Sequence, residues 1–571
     1  MTTSVTTLKP PKAPFFFSSL RGYKAAWIKY DLIAGLAVWA VLIPESLAYA
    51  SIAGVSPVVG LYAALPALVL YPIFGSSKHL IVGPMSATAA LSASIVAGLA
   101  PSGDAKYAAY TAALALMTGL LCALAGFLKF GFLASFISEP VLKGFIVGLA
   151  LTIIIGQVPK LFGVKAGEGN FFAKLWAVVS ELGTTNIPTL IVGVLSLAVV
   201  LSLKRWLPLV PGSLVAVAIG VAAVLLFGLQ SKGVEIVGHI DAGFPTVAVP
   251  LASSIGDYLQ LIGPAAGLLI VGYAEALGAA KTYASKAGYD VDANKELIGM
   301  GAANIGSGLF SGMVVNGSLS KTAVNGSSGA RSGVSSLFMA VLTLLTLLFL
   351  TPLFENLPEA TLAAIVIAAV VELVDIPAIA RLFRVSTPEL SRIYGMATRA
   401  DFLGAVAAML GVLVFDTLPG LIIGLVVSLL VLLYRVSKPN IALLGKSPNG
   451  GWVDLARNPG VTAPDGVLVV RIEAGLFFGN ADHIREQLRL RAQATKATIV
   501  VVDARTTPSI DVSATEMLAT LNRDLTRIGA TLVLARDVGQ VRDILAAVGE
   551  GLPPAYATVD EAIAAAQAKA H

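Results

Sequence analysis

Charged residues, cysteine and histidine are all scarce in this chain of 571 residues. Asp, Glu, Lys and Arg together make up 13% of it, which is about half the share that soluble globular proteins carry. The single cysteine, Cys122, excludes an internal disulfide, and the four histidines form no HExxH or similar metal-binding motif. We therefore expect no metal site, no cofactor and no enzymatic activity. The net charge of +5 is too small and too scattered to indicate a nucleic-acid partner.

Long apolar runs, by contrast, are abundant between residues 31 and 437. Because a membrane-spanning helix needs about 20 apolar residues, this pattern predicts a polytopic α-helical membrane protein embedded in the lipid bilayer. We predict 14 transmembrane helices, near residues 31–52, 57–75, 84–100, 107–128, 133–156, 187–204, 211–229, 260–280, 295–312, 318–330, 331–351, 358–375, 400–416 and 418–436. The predicted membrane region is thus 31–437.

Basic residues flank the first and the last predicted spans. Five of them lie in the N-terminal segment 1–30, namely Lys9, Lys12, Arg21, Lys24 and Lys29, and Lys438 and Lys446 follow the last span. By the positive-inside rule, segment 1–30 and the C-terminus are both expected in the cytoplasm. The predicted location is the cell's inner or plasma membrane.

The tail, residues 445–571, has the composition of a soluble domain, with charges every few positions. Its pattern predicts strands at 467–472, 498–503 and 531–535, helices at 481–494 and 513–528, and two short helices after the last strand. Strands that alternate with helices indicate a small cytoplasmic α/β domain.

An internal repeat divides the membrane region. Tyr49–Gly54 recurs as Tyr283–Gly288, and Gly83–Ala89 recurs as Gly317–Ala323, both 234 positions later. Two seven-span repeats, at about 31–229 and 260–436, must lie inverted in the membrane, because seven is an odd number. Inverted repeats with interrupted helices are typical of secondary transporters, whose substrate site lies between the halves.

The repeated segments at Gly83 and Gly317 are short and are interrupted by glycine or proline, so each is expected to begin a half-helix. Two helix N-termini that face each other would provide free N–H groups for an anion. The expected substrate-binding residues are Met85, Ser86, Ala87 and Thr88 in the first copy, and Leu319, Ser320, Lys321 and Thr322 in the second. The alternative for the hydroxyl residues is helix capping and close packing; for Lys321 it is a position at the membrane interface.

Two carboxylates lie in equivalent spans of the two repeats. Glu275 corresponds to Val41 under the 234-residue offset, and Val41 is one helical turn from Glu45. Burial opposes ionisation of a carboxylate unless a cation lies nearby, so Glu275 is a candidate proton carrier. Glu45 is a candidate for the substrate site, together with Tyr49. The alternative is that these carboxylates are fixed structural partners of Lys281 or Lys321.

Several motifs resemble those of the SulP family of sulfate permeases and related anion transporters, the family of prestin and pendrin. They are Ala34–Ala50, which contains Leu-Ile-Pro-Glu-Ser-Leu-Ala-Tyr, and Gly54–Tyr62, Gly83–Thr88, Gly288–Glu296 and Gly317–Asn325. The tail is similar to a STAS domain. Many SulP members have Gln in place of Glu45 and Arg in place of Lys321.

This resemblance implies fourteen spans in a core domain and a gate domain, with the anion between the third and tenth spans. It also implies a homodimer whose core moves by an elevator-type motion. Family members transport sulfate, bicarbonate, chloride, oxalate or dicarboxylates. Proton symport in this family is attributed to a glutamate of the eighth span, which Glu275 matches, whereas Ala279 makes a sodium site doubtful.

The expected function is secondary active, proton-coupled uptake of sulfate. An entering negative charge costs about 2.3 kcal/mol against 100 mV, and a co-transported proton cancels it. The sequence does not separate sulfate from bicarbonate or a C4-dicarboxylate. It is also compatible with a passive anion channel, and with a membrane-tethered signalling protein that works through the STAS domain.

Overall fold

The computed structural model describes residues 16–101, 104–132, 138–207, 210–240, 243–250, 255–385, 400–415, 417–548 and 551–570. Residues 1–15 of the predicted N-terminal segment, 133–137 and 416 of two predicted spans, and 549–550 and 571 of the predicted tail domain lie outside these ranges. Contacts divide the chain into two compact units: Met1–Leu382 with Phe402–Ser428, and Phe383–Asp401 with Leu429–His571.

The described chain up to Ser437 is almost entirely helical, and each of the fourteen predicted spans contains a helix. Most of these helices belong to the first unit, and the last three extend into the second. The helices are α1 (Ile28–Ile52), α2 (Val58–Phe74), α3 (Ser86–Ala97), α4 (Ala105–Phe127), α5 (Glu139–Phe162), α6 (Phe171–Glu181), α7 (Ile187–Trp206), α8 (Gly212–Phe227), α9 (Ile255–Ala287), α10 (Ala293–Leu309), α11 (Leu319–Ser327), α12 (Val334–Leu345), α13 (Glu359–Val370), α14 (Ile376–Val385), α15 (Ala400–Phe415) and α16 (Thr417–Ser437). Helices α6 and α14 were not predicted. Among the described residues, seven helices have the length and apolar composition to cross a membrane, and five more are apolar but shorter.

Two short strands interrupt the helical pattern where the sequence predicted breaks. Strands β1 (Ile81–Gly83) and β2 (Asn316–Ser318) pair antiparallel, with Val82 opposite Gly317 and Gly83 opposite Asn316. A two-fold axis between these two pairs would exchange Val82 with Asn316 and Gly83 with Gly317. Each exchange joins residues that are 234 positions apart. The strand register therefore agrees with the inverted repeat.

Local chemistry explains why a helix begins after each strand. Pro84 has a fixed φ and no N–H, and it restricts Gly83 to an extended conformation; α3 then begins at Ser86. In the second copy, Ser318 caps α11, since its hydroxyl accepts a hydrogen bond from the Lys321 amide at 3.3 Å. Each repeat therefore presents a helix N-terminus next to the strand pair.

The helices of the first unit pack in two groups. In one group, α10 packs against α2 and α4, α1 against α2, α11 and α12, and α9 against α4 and β2. In the other, α13 packs against α5, α7 and α8. Close approach of α4 and α10 requires Gly119, because a Cβ there would lie 2.4 Å from the Ile305 nitrogen. The groups meet where α1 contacts α8 and α13, and where α3 contacts α5.

A fully buried carboxylate, Glu296, holds the chain that leads into β1. It accepts hydrogen bonds from the Tyr71 hydroxyl (2.6 Å), from the Ser76 amide and hydroxyl (both 2.8 Å) and from the Ser77 amide (3.0 Å). Four donors on one carboxylate satisfy a buried charge that would otherwise be costly. Glu296 therefore fixes the segment between α2 and β1.

The second unit contains a six-stranded sheet in the order β4-β3-β5-β6-β7-β8. Its elements are β3 (Ile441–Lys446), β4 (Trp452–Asp454), β5 (Val467–Ile472), α17 (Phe478–Thr495), β6 (Ile499–Asp503), α18 (Val512–Arg527), β7 (Thr531–Ala535), α19 (Gly539–Val548), β8 (Ala555–Tyr556) and α20 (Val559–Ala570). Strands β5 to β8 are parallel, and β3 pairs antiparallel with β4 and β5. The three predicted strands and four predicted helices are confirmed, whereas β3, β4 and β8 were not predicted.

Candidate functional site

The first half of the candidate site is the start of α3. Met85, Ser86, Ala87 and Thr88 are all buried there. The first N–H groups of a helix have no partner within the helix and carry positive partial charge. The Thr88 hydroxyl donates to the Met85 carbonyl at 3.3 Å, so this side chain stabilises the helix start itself. The backbone is thus the main donor on this side.

The second half is the start of α11, where successive residues differ in exposure. Leu319 and Ser320 are exposed, whereas Lys321 and Thr322 are buried. The Thr322 hydroxyl accepts a hydrogen bond from the Ile81 amide at 3.0 Å and therefore ties α11 to β1. This contact agrees with the packing interpretation of Thr322. The Ser320 hydroxyl lies 3.1 Å from that of Ser318.

Lys321 connects the two halves. Its side chain is 1% exposed, and its Nζ lies 2.7 Å from Glu45 Oε2. The same ammonium donates to the Pro84 carbonyl at 3.2 Å and lies 5.0 Å from the centre of the Tyr49 ring. Burial of this side chain inside the protein disfavours the interfacial alternative for Lys321. Glu45, Tyr49 and Lys321 form one buried cluster beside the start of α3.

Glu275 lies in a different environment on α9. Its carboxylate accepts a hydrogen bond from Asn316 Nδ2 at 3.4 Å and is only partly buried. Within the described ranges, neither Lys281 nor Lys321 forms an ion pair with it. Among the residues that the structure describes, Glu275 is therefore a carboxylate next to β2 without an ion-pair partner, and Glu45 is the carboxylate that pairs with Lys321.

Two neighbours of the site were missed by the sequence reasoning. Asn316 bonds Glu275 through its amide nitrogen, and its buried Oδ1 has no hydrogen-bond partner in the described structure. The Pro84 carbonyl accepts from Lys321. Asn316 immediately precedes the repeated Gly317 motif, and this adjacency was the available signal.

The arrangement can hold an anion by backbone N–H groups rather than by a free side-chain charge. Two helix N-termini lie next to one strand pair, and the nearby ammonium is already balanced by the Glu45 carboxylate. Sites of this kind recognise anions through oriented dipoles.

Comparison with known proteins agrees with this geometry. Residues 28–395 match the model of the sulfate permease family, and residues 458–562 match the STAS domain. The chain belongs to the sulfate permease family. As a member it is a multi-pass membrane protein with a C-terminal STAS domain, and the family is one of transporters rather than enzymes.

Similar sequences extend over almost the whole chain. A probable sulfate transporter of Mycobacterium tuberculosis (strain CDC 1551 / Oshkosh) is 35% identical over 530 residues, which cover 92% of each chain. Sulfate transporter 1.3 of Arabidopsis thaliana is 30% identical over 543 residues, which cover 90% of this chain and 80% of that one.

Solved structures share the fold at lower identity. The murine Solute Carrier 26 family member A9 anion transporter, in an inward-facing state, has a TM-score of 0.85 at 24% identity, and the match covers 99% of this chain and 97% of that one. The transmembrane domain of the cyanobacterial bicarbonate transporter BicA has a TM-score of 0.60 at 23% identity, covering 71% and 98%. The SulP resemblance and the predicted helical membrane fold with a C-terminal STAS domain are thus confirmed, whereas the count of fourteen spans stays a prediction.

Proposed function

We propose that this protein is a secondary active transporter that takes up sulfate together with protons. The observation that carries the proposal is the pair of half-helix starts at Ser86 and Leu319, which lie beside one antiparallel strand pair. The relatives from Mycobacterium tuberculosis and Arabidopsis thaliana are named as sulfate transporters, and this supports sulfate as the anion.

Sulfate binding would use the backbone at both helix starts. Amide groups of residues 85–88 and of Leu319 and Ser320 would donate to the sulfate oxygens, and Ser86 and Ser320 would add hydroxyl donors. The Lys321 amide already donates to the Ser318 hydroxyl. Because Lys321 is paired with Glu45, its ammonium adds attraction without leaving a bare buried charge when the site is empty. Because Glu45 balances the Lys321 charge, the ammonium would hold sulfate less tightly than an unpaired cation, and sulfate could be released more easily.

Glu275 is the proposed proton carrier. Its carboxylate lies next to Asn316 of β2 and has no cation partner in the described part of the chain. In a medium of low dielectric constant, such a carboxylate takes up a proton more readily than one beside a lysine. Each proton carried inward with sulfate removes the cost of one charge, about 2.3 kcal/mol per 100 mV.

The two packing groups of helices would allow an elevator-type motion, and we propose that the transporter carries it out as a homodimer. Both half-helices belong to the group of α1–α4 and α9–α12, so a rigid movement of this group would carry the whole site across the membrane. The contacts of α1 with α8 and α13, and of α3 with α5, are the surfaces that would slide. Bicarbonate or a C4-dicarboxylate as substrate, and passive conduction as mechanism, are the competing proposals.

Radiolabelled sulfate uptake into proteoliposomes tests the proposal. The vesicles are loaded at neutral pH and measured with and without an acidic exterior, and unlabelled sulfate, bicarbonate, fumarate and chloride compete in parallel. We expect saturable accumulation that requires the pH gradient and is suppressed most strongly by sulfate. Uptake that never exceeds equilibration would indicate a channel, and stronger suppression by bicarbonate or fumarate would overturn sulfate as the substrate.

A further inference from the structure

A cavity of about 570 Å³ lies in the second unit, where the last turn of α16 leads into the sheet. The lining residues come from three places. Tyr434 lies in the last turn of α16, and Lys438 and Asn440 follow that helix; Glu473 and Phe477 lie in the loop before α17, and His483 and Arg491 in α17 itself. This cavity contains none of the residues assigned above to anion transport. Its lining combines several basic side chains with a single carboxylate.

The basic groups are held in place by the fold. His483 and Arg491 are eight residues apart and therefore share a face of α17. Arg491 donates to the Ile441 carbonyl at 2.7 Å, and Lys438 Nζ lies 5.0 Å from the centre of the Tyr434 ring. These contacts reduce the conformational freedom that a ligand would otherwise have to restrict.

The one carboxylate of the cavity is already neutralised. Glu473 accepts from Asn440 Nδ2 at 2.8 Å and from Arg471 at 2.8 Å. Burial, and then the positive charges of Lys438 and Arg491, lower the pKa of the His483 imidazole. The same two charges would attract an anion into the cavity.

The position of the cavity indicates where such an anion comes from. Helix α16 is the last predicted span and ends at Ser437, so Tyr434 and Lys438 lie where aromatic and basic residues mark the membrane interface. The Phe478 side chain, next to Phe477 of the lining, is 76% exposed. An apolar ring beside a basic cavity matches the acyl chains and phosphate of a lipid better than it matches a soluble phosphate.

We propose that this cavity binds the phosphate headgroup of an anionic phospholipid of the cytoplasmic leaflet. Lys438 and His483 contact the phosphate, and Phe478 contacts the apolar part of the lipid. The second unit, which contains the STAS domain, would then sense lipid composition at the point where the chain leaves the membrane.

Thermal-shift titration of the purified full-length protein tests this proposal. The protein in neutral detergent is titrated with phosphatidylglycerol, with phosphatidylcholine, and with inorganic phosphate or ATP. Wild type is compared with K438Q/H483Q, with K438R, which keeps the charge, and with K446Q, a lysine of the same unit that pairs with Asp560 away from the cavity. Parallel sulfate uptake assays confirm that each variant is folded.

We expect phosphatidylglycerol, but not phosphatidylcholine, to raise the melting temperature of wild type, K438R and K446Q. K438Q/H483Q should bind phosphatidylglycerol about fivefold more weakly or worse. Equal affinity in wild type and K438Q/H483Q would overturn the site. Stabilisation by inorganic phosphate or ATP without any effect of phosphatidylglycerol would overturn the lipid as its occupant.

Discussion

At the scale of single residues, the ion pair of Lys321 with Glu45 determines how the site is charged. A buried ammonium next to a carboxylate at 2.7 Å is electrically balanced, so the positive character of the empty site comes from helix N-termini. Removal of either partner leaves the other buried without a counter-ion, which is strongly destabilising in proteins. A test of Lys321 must therefore separate affinity from folding.

Lys321→Ala is expected to raise the KM for sulfate more than tenfold, a loss of about 1.4 kcal/mol of binding. Because the single variant isolates Glu45, the double variant K321A/E45Q is measured beside it. We expect the double variant to recover thermal stability but to keep the high KM. A KM at the wild-type value in the double variant would remove Lys321 from the substrate site.

Glu275→Gln is expected to abolish the pH dependence of sulfate uptake, because glutamine cannot carry a proton. Wild-type uptake should rise as the external pH falls, whereas the variant should show a flat profile. Glu372→Gln is the matched control, since Glu372 is an exposed glutamate that pairs with Lys204. An unchanged pH profile in Glu275→Gln would refute Glu275 as the carrier.

Residue chemistry was only partly predictable from the sequence. The 234-residue offset brought Glu45 and Glu275 to related helix faces, but it could not show that Lys321 pairs with Glu45. Which carboxylate reaches the ammonium depends on how α11 packs against α1, and this is a tertiary contact. For the same reason, the position of Asn316 beside the repeated motif could not show that its amide reaches Glu275.

At the scale of elements, the proposed anion site depends on two half-helices that begin beside one strand pair. The two glycines of the repeated motif are not equivalent in their surroundings. A Cβ on Gly317 would lie 2.8 Å from the Ala276 Cβ and 3.0 Å from Leu80 Cδ2. A Cβ on Gly83 would meet only Leu42 Cδ1, at 3.6 Å.

Gly317→Ala should therefore push β2 away from α9 and lower the maximal rate of sulfate uptake at least several-fold, because overpacking a tight contact shifts the backbone. Gly83→Ala introduces an ordinary van der Waals contact and should transport at close to the wild-type rate. Uptake assays on both variants at equal protein amounts provide the comparison. Equal behaviour of the two variants would contradict this description of the strand pair.

Glu296 allows a second test at this scale, since it fixes the segment between α2 and β1. Glu296→Ala leaves the Ser76 and Ser77 amides without their acceptor and should lower the free energy of unfolding by about 3 kcal/mol. The matched control is Glu139→Ala, an exposed glutamate in the first turn of α5. The melting temperature of each variant is measured in detergent. An equally small decrease in both variants would show that the hydrogen bonds of Glu296 do not stabilise the fold.

The elements themselves were largely predictable. The lengths of the apolar runs predicted fourteen spans, and each of them contains a helix. The Gly83-Pro84 pair and Gly317 predicted the two breaks in the helical pattern. Strand β3 was missed because Ile441–Lys446 lies across the predicted start of the tail at residue 445. Strand β4 was missed because its three residues are too few to show a strand pattern. Helix α6 was missed because its eleven residues are fewer than a span requires.

At the scale of the whole molecule, the chain consists of two units with separate apolar cores. The sheet of the second unit buries residues on both of its faces, in clusters that include Leu468 and Val500 on one face and Val469 and Val501 on the other. Neither cluster includes a residue of helices α1–α16. The first unit contains every residue of the candidate site.

Removal of residues 440–571 should accordingly leave saturable, pH-dependent sulfate uptake with a KM close to that of the full chain. The cut is placed before Ile441 because β3 begins there. Proteoliposome uptake, normalised to reconstituted protein, is the measurement. If the truncated protein keeps its melting transition and yet loses all uptake, that result would indicate a direct role of the STAS domain in the transport cycle.

Binding of the anion between the two helix starts is the central claim, and anomalous diffraction from crystals grown with selenate tests it most directly. Selenate has the shape and charge of sulfate, and its selenium can be located without assumptions about the protein. We predict a peak roughly 4 Å from the amide nitrogens of Ser86 and Ser320, the distance that N–H···O hydrogen bonds to an oxyanion impose. An ordered selenate elsewhere in the membrane unit, with this position empty, would contradict the account.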